Sequence, residues 1–192
     1  MQENGTKPVQ TKFNSALPLI LSLRDITFGK VKPDFYTRIA TYINLYVWIT
    51  FLSWHIISFS AISLRAIIYT EKKIDVEALI FRRGAELGFR PYEFLNHLLQ
   101  YHLISIICWG TLFLGIIFMW RKKKIFALFI FGSLAVYLVI LLSNMGINYF
   151  IEDTTLFDKI LLAVITVNSL LYFIFMPRLL TSKAIEGEFQ ED

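Results

Sequence analysis

Reactive side chains are scarce in this chain of 192 residues. It has one cysteine, Cys108, so neither a disulfide framework nor a paired-thiol metal or redox site can be built from it. Lying inside an apolar run, Cys108 reads as a small packed hydrophobe. There are three histidines, and none sits in an HExxH pattern. His97 and His102 are five apart and do not share a helix face as i,i+4 ligands would. A phosphate-binding glycine loop, a GxGxxG turn and a GxSxG elbow are all missing, which removes the motif basis for soluble nucleotide or hydrolase chemistry. No catalytic residue and no metal set is assigned.

The most informative scarcity is charge at depth. No Asp, Glu, Lys or Arg falls within the apolar cores of four long hydrophobic runs. Proton- and ion-coupled carriers usually keep an ionisable group there, so a coupled transporter is disfavoured. Four runs are also few for the paired-repeat transporter architectures. The five prolines avoid the middle of every run.

What the chain does have is apolar surface. Hydrophobic residues make up 56 %, aromatics 16 %, and the mean hydropathy is +0.56, beyond what a soluble chain of this length can bury. The expected class is all-α: a polytopic membrane protein with four transmembrane helices in two hairpins, plus short interfacial amphipathic helices. The spans are expected at residues 39–70, 92–120, 125–148 and 156–176, each long enough to cross a hydrocarbon core. An outer loop at 71–91, a leading segment at 1–38 and an acidic tail at 177–192 complete the division. Pro177 and Arg178 are expected to stop the last span.

Two stretches read as helices lying in the interface. One, over 15–28, is capped by Ser15 and has Pro18 in its first turn. The other, over 76–87, has Asp75 as N-cap and Gly88 at C′, with Arg82, Glu86 and Arg90 at i,i+4 spacing. Pro91 and Glu93 suit the first turn of the next helix.

Orientation follows from Lys and Arg. The run Arg121, Lys122, Lys123 and Lys124 separates the second and third spans, and such turns stay cytoplasmic during insertion. Counted over the chain, twelve cations flank the side that holds this turn and both termini, against seven on the other. Both termini are therefore expected in the cytoplasm, in a bacterial inner membrane or alternatively an organelle membrane. The net charge of +4 lies around apolar runs, not along a stripe interleaved with exposed aromatics, so membrane lipids are the expected partners and nucleic acid is not.

Three groups of residues are candidates for function. His55 and His102 each lie about 14–15 Å from an outer boundary mark, Arg65 or Glu93, at 1.5 Å per residue. Facing helices would present them at one depth, as the axial ligands of a b-type haem or as interhelical hydrogen-bonding groups. A polar cluster of Asn96, His97, Gln100, Tyr101 and His102 faces Ser58, Ser60 and Ser63, either around a hydrated vestibule or as interhelical glue. Arg82, Arg83 and Arg90, with the Arg121–Lys124 run, are expected contacts for lipid headgroups or a partner.

Three functions fit these features. The leading one is a non-catalytic accessory or assembly subunit of a larger membrane complex, with other integral membrane subunits or its own copies as partners. The alternatives are an oligomeric pore or membrane-perturbing effector, as in a defence pathway, and a haem- or lipid-binding membrane enzyme using His55 and His102.

Overall fold

The computed structural model describes residue 27 and residues 33–188. The expected helix over 15–28 and the last four residues of the acidic tail lie outside the described residues, residue 27 apart. Residues 33–188 form seven α-helices in order: α1 Phe35–Ser63, α2 Arg65–Lys72, α3 Val76–Glu86, α4 Pro91–Trp120, α5 Phe126–Ile140, α6 Gly146–Glu152 and α7 Leu156–Glu188. A single π-helical turn, Leu141–Met145, joins α5 to α6. The described residues contain no strand. Four stretches are long and apolar enough to cross a bilayer: Phe35–Ser63, Tyr92–Trp120, Phe126–Glu152 and Leu156–Pro177. The chain is an all-α polytopic membrane protein.

Helix ends follow local chemistry. The Asp34 carboxylate caps α1, accepting from the Thr37 amide at 3.0 Å and the Thr37 hydroxyl at 2.8 Å. Asp75 caps α3 through the Ala78 amide at 2.9 Å. At the start of α7 the Thr155 hydroxyl accepts from the Asp158 amide while the Asp158 carboxylate accepts from the Thr155 amide, a reciprocal capping box. Helix α3 closes with Gly88 at φ +87°, its amide donating to Ala85 and the next amide, on Phe89, to Gly84. Helix α4 closes the same way, but with Lys122 at φ 55° in the left-handed position that favours glycine. That conformation costs a lysine roughly 1–2 kcal/mol, and its side chain has a role, described below, that glycine lacks.

Antiparallel packing makes α4 the centre of the bundle, with α1, α3 and α5 around it. Gly115 is what lets α5 come close: a Cβ there would meet Ile130 Cγ1 at 2.6 Å and the Ile130 backbone nitrogen at 3.1 Å. Phe51 of α1 stacks on Trp109 of α4 with centroids 4.6 Å apart, and Tyr137 of α5 meets both edge-on. Helix α7 leans on α1 and meets α5 around Phe126, whose ring packs on Tyr172. Ile116, Met119, Ile130, Leu141 and Ile165 are fully buried between these helices.

The structure departs from the sequence-level boundaries in three places. The first run is not one helix to residue 70; Leu64, at φ −94° and ψ 13°, breaks it and α2 starts anew. The third span does not end at 148, because the π turn and Gly146, at φ +79°, reset the backbone and α6 continues to Glu152. The helix of the fourth span is not stopped by Pro177: the apolar stretch ends there, but α7 passes through it to Glu188. Proline removes one amide donor from the ladder, and long apolar helices tolerate that loss when the remaining turns stay hydrogen-bonded.

Candidate functional site

Two buried polar layers cross the bundle. The first lies toward the end carrying Arg121–Lys124. Asn44 of α1 is completely buried; its amide nitrogen donates to Ser169 Oγ at 2.9 Å and approaches Met119 Sδ at 3.4 Å. Its carbonyl oxygen accepts from Asn168 Nδ2 at 2.6 Å, and that same nitrogen donates to the Ala40 carbonyl at 2.8 Å. Two turns nearer the basic end, Thr37 Oγ1 meets Tyr172 OH at 3.1 Å, and Tyr172 OH donates to the Met119 carbonyl at 3.3 Å. Lys122 reaches back to form an ion pair with Asp34. Partial burial works against ionisation of Asp34, but the Lys122 ammonium and the Thr37 donors outweigh it and hold the carboxyl down at about 2. One layer thus ties α1, the α4–α5 turn and α7 together.

The second layer lies toward α3. Helices α1 and α4 bring His55 and His102 into contact, Nδ1 to Nδ1 at 2.9 Å, with ring centroids 5.2 Å apart. Only one of these two nitrogens can carry the shared proton, so the pair holds one Nδ1–H donor and one lone pair. Tyr101 and Tyr137 flank His55 edge-on and bond to each other at 2.8 Å. His55 Nε2 and Ser105 Oγ are buried without a hydrogen-bond partner, as is Trp109 Nε1 below them. The pair does not fit a haem: axial ligation needs the macrocycle between the two imidazoles, and here the nitrogens touch with tyrosine rings packed around them.

The other sequence-selected residues scatter. Tyr101 and His102 are buried, whereas Asn96 and Gln100 are exposed on the opposite side of α4, because a four-residue step keeps one helix face and a step of one or two leaves it. His97 is half-buried, 4.0 Å from Glu93, and Ser58 is half-buried on α1. They do not share one chamber.

The arginines separate too. Arg83 binds Glu86 at 2.7 Å, Asp153 at 2.8 Å and Glu152 at 3.1 Å, fastening α3 to the end of α6. Glu86 first, and Asp153 next, push its guanidinium further above the ordinary range. Arg82 and Arg90 are exposed. In the basic turn Lys122 is engaged with Asp34, while Lys123 and Lys124 are exposed beside Arg121.

Asn44 and the Asp34–Lys122 pair escaped the sequence reading. A signal for Asn44 exists: it lies ten residues from Asp34 as Asn168 lies ten from Arg178, the same depth arithmetic that singled out the histidines. Against family models, curated proteins and solved structures, the chain finds no match.

Proposed function

We propose that this protein is a non-catalytic integral membrane subunit that docks the flanks of its helices against other membrane proteins, with the basic turn and both termini in the cytoplasm. The observation that supports this reading is where the buried polar groups go. Asn44 pairs with Asn168 and Ser169, Thr37 with Tyr172, His55 with His102 and Tyr101 with Tyr137 across helices, so the interior holds the bundle together. Contacts with partners then fall to the sides. One such side is an apolar groove of about 610 Å³ between α1 and α7, lined by Tyr36, Ile39, Ala40, Asn168, Leu171 and Tyr172 among others. Groove walls of this kind, with small Ala40 between large rings, accept a neighbouring helix. The exposed cations Lys123 and Lys124 add attraction to anionic headgroups beside it.

The test is native mass spectrometry of complexes released gently from membranes. The expected result is a stoichiometric complex with another integral membrane protein, lost in Ala40→Trp and Leu171→Trp variants and kept in Val139→Trp, whose site is exposed on α5. Release of the chain without any second protein, under conditions that preserve other membrane complexes, would overturn the reading.

A further inference from the structure

Helix α1 runs 29 residues from Phe35 to Ser63, about 44 Å at 1.5 Å per residue, the thickness of a bilayer with both of its headgroup layers. Arg65, two residues on, therefore stands at headgroup level, at the end of the bundle away from the basic turn. Here the chain changes direction twice: Leu64 breaks the helix, and Lys73, at φ 56°, turns the chain from α2 toward α3. Between α2 and α3 lies an open cavity of about 340 Å³, a volume in the range of small-ligand sites, lined by Arg65, Tyr69, Asp75, Glu77 and Phe81 among others. Charges of both signs line it, and their bonding capacity is only partly used. Arg65 is held in place by Nε donating to Glu77 Oε2 at 2.9 Å and Nη1 donating to the Ile62 carbonyl at 3.1 Å. Those bonds use two of the five guanidinium N–H groups and leave three without a partner among the described residues. Asp75 Oδ1 accepts from the Ala78 amide, while Asp75 Oδ2 and Glu77 Oε1 accept from no described residue.

We propose that this cavity binds a phosphoethanolamine group, with its primary ammonium on the free oxygens of Asp75 and Glu77 and its phosphate on the free N–H groups of Arg65. One cation against two carboxylates leaves the lining net negative, and the rings of Tyr69 and Phe81 add faces that attract an ammonium. The guanidinium supplies the opposite need, since a phosphate accepts its N–H groups in charge-assisted bonds. The chemistry also selects among headgroups. A primary ammonium keeps three N–H donors for the two carboxylates, whereas the quaternary ammonium of choline has none and a glycerol headgroup brings no cation at all. Such a group has two sources, the headgroup of a membrane phospholipid or a soluble phosphomonoester, and the level of Arg65 in the bilayer favours the lipid. The site shares no residue with the α1–α7 groove, so the two proposals fail independently.

The test places the purified full-length chain in nanodiscs of equimolar phosphatidylethanolamine, phosphatidylcholine and phosphatidylglycerol with identical acyl chains, then counts the lipids retained on release into mild detergent by native mass spectrometry. The expected result is retention of phosphatidylethanolamine at least about fivefold above either of the others, as charge-assisted bonds at a partly exposed site allow. Asp75→Asn, Glu77→Gln and Arg65→Gln should each lower it about three- to tenfold, while Lys72→Gln, exposed on α2 and outside the lining, leaves it unchanged. Asparagine caps a helix as well as aspartate does, so the Asp75→Asn chain keeps α3, and unchanged helicity checks this. A second arm titrates free phosphoethanolamine into nanodiscs of phosphatidylcholine alone; saturable binding there without a lipid preference would support the site and assign its ligand to the soluble source. Equal retention of the three lipids with no saturable binding of phosphoethanolamine would overturn the proposal. So would retention led by the anionic lipid, or a phosphatidylethanolamine preference indifferent to Asp75→Asn and Glu77→Gln.

Discussion

Asn44 and His55 stand about three turns apart on the same face of α1, and both are buried, yet their surroundings are satisfied to different degrees. Around Asn44 the carboxamide accepts from one side chain and donates to another, and those two partners, Asn168 and Ser169, belong to α7. Around His55 the pair with His102 uses one nitrogen of each ring and leaves His55 Nε2, with Ser105 Oγ nearby on α4, lacking a partner. A buried polar group that is bonded contributes modestly, whereas one left unbonded costs its full desolvation. The carboxamide layer therefore locks α1 to α7, and the imidazole layer adds little net stability to the contact between α1 and α4. That contact relies on apolar packing instead, above all the Phe51–Trp109 stack.

The contrast can be broken or sharpened by substitution. The largest effect is expected at Asn44→Leu, which takes the donor from the Ser169 hydroxyl and leaves the Asn168 amide with the Ala40 carbonyl alone: a loss of about 2 kcal/mol, read from detergent-titration unfolding followed by helicity. His102→Leu alone removes half of a pair and leaves His55 wholly unbonded, for about 1 kcal/mol by the same measurement. A smaller change comes from acid. Because the folded Asp34 carboxyl sits at about 2, below the ordinary value, its ion pair with Lys122 stabilises the fold fully above about pH 5 and is lost as pH falls through 4 toward 2. The stability advantage of the native chain over Asp34→Asn should shrink across that window and stay constant from pH 5 to 7. The smallest effect is expected from the double variant His55→Leu with His102→Leu, within about 0.5 kcal/mol of the native chain, since removing both partners also removes the unbonded nitrogen.

Much of the architecture was legible because bilayer thickness forces long charge-free runs and leaves cations at their ends. The caps at Asp75 and Gly88 were readable for a similar reason: each is a local rule satisfied by neighbours in sequence. The break at Leu64, the π turn before Gly146 and the passage of α7 through Pro177 were not, since no residue type there demands those backbone choices and packing decides them. For the site, depth arithmetic matched His55 with His102, but it gives no azimuth. It grouped Asn96 and Gln100 with Tyr101 although 100° per residue sends them to opposite sides of α4. Arg83 read as a headgroup or partner contact because Glu152 and Asp153 lie far off in sequence and only the fold brings them near.

The central claim is that the interior holds the bundle while contacts are made from its flanks. The most direct measurement is on the folded His55→Leu, His102→Leu double variant, assayed together for helicity and for the stoichiometric complex released from membranes. Retention of both at native levels is expected. A variant that keeps its helicity but loses its membrane partner would place function in the buried imidazoles and contradict the claim.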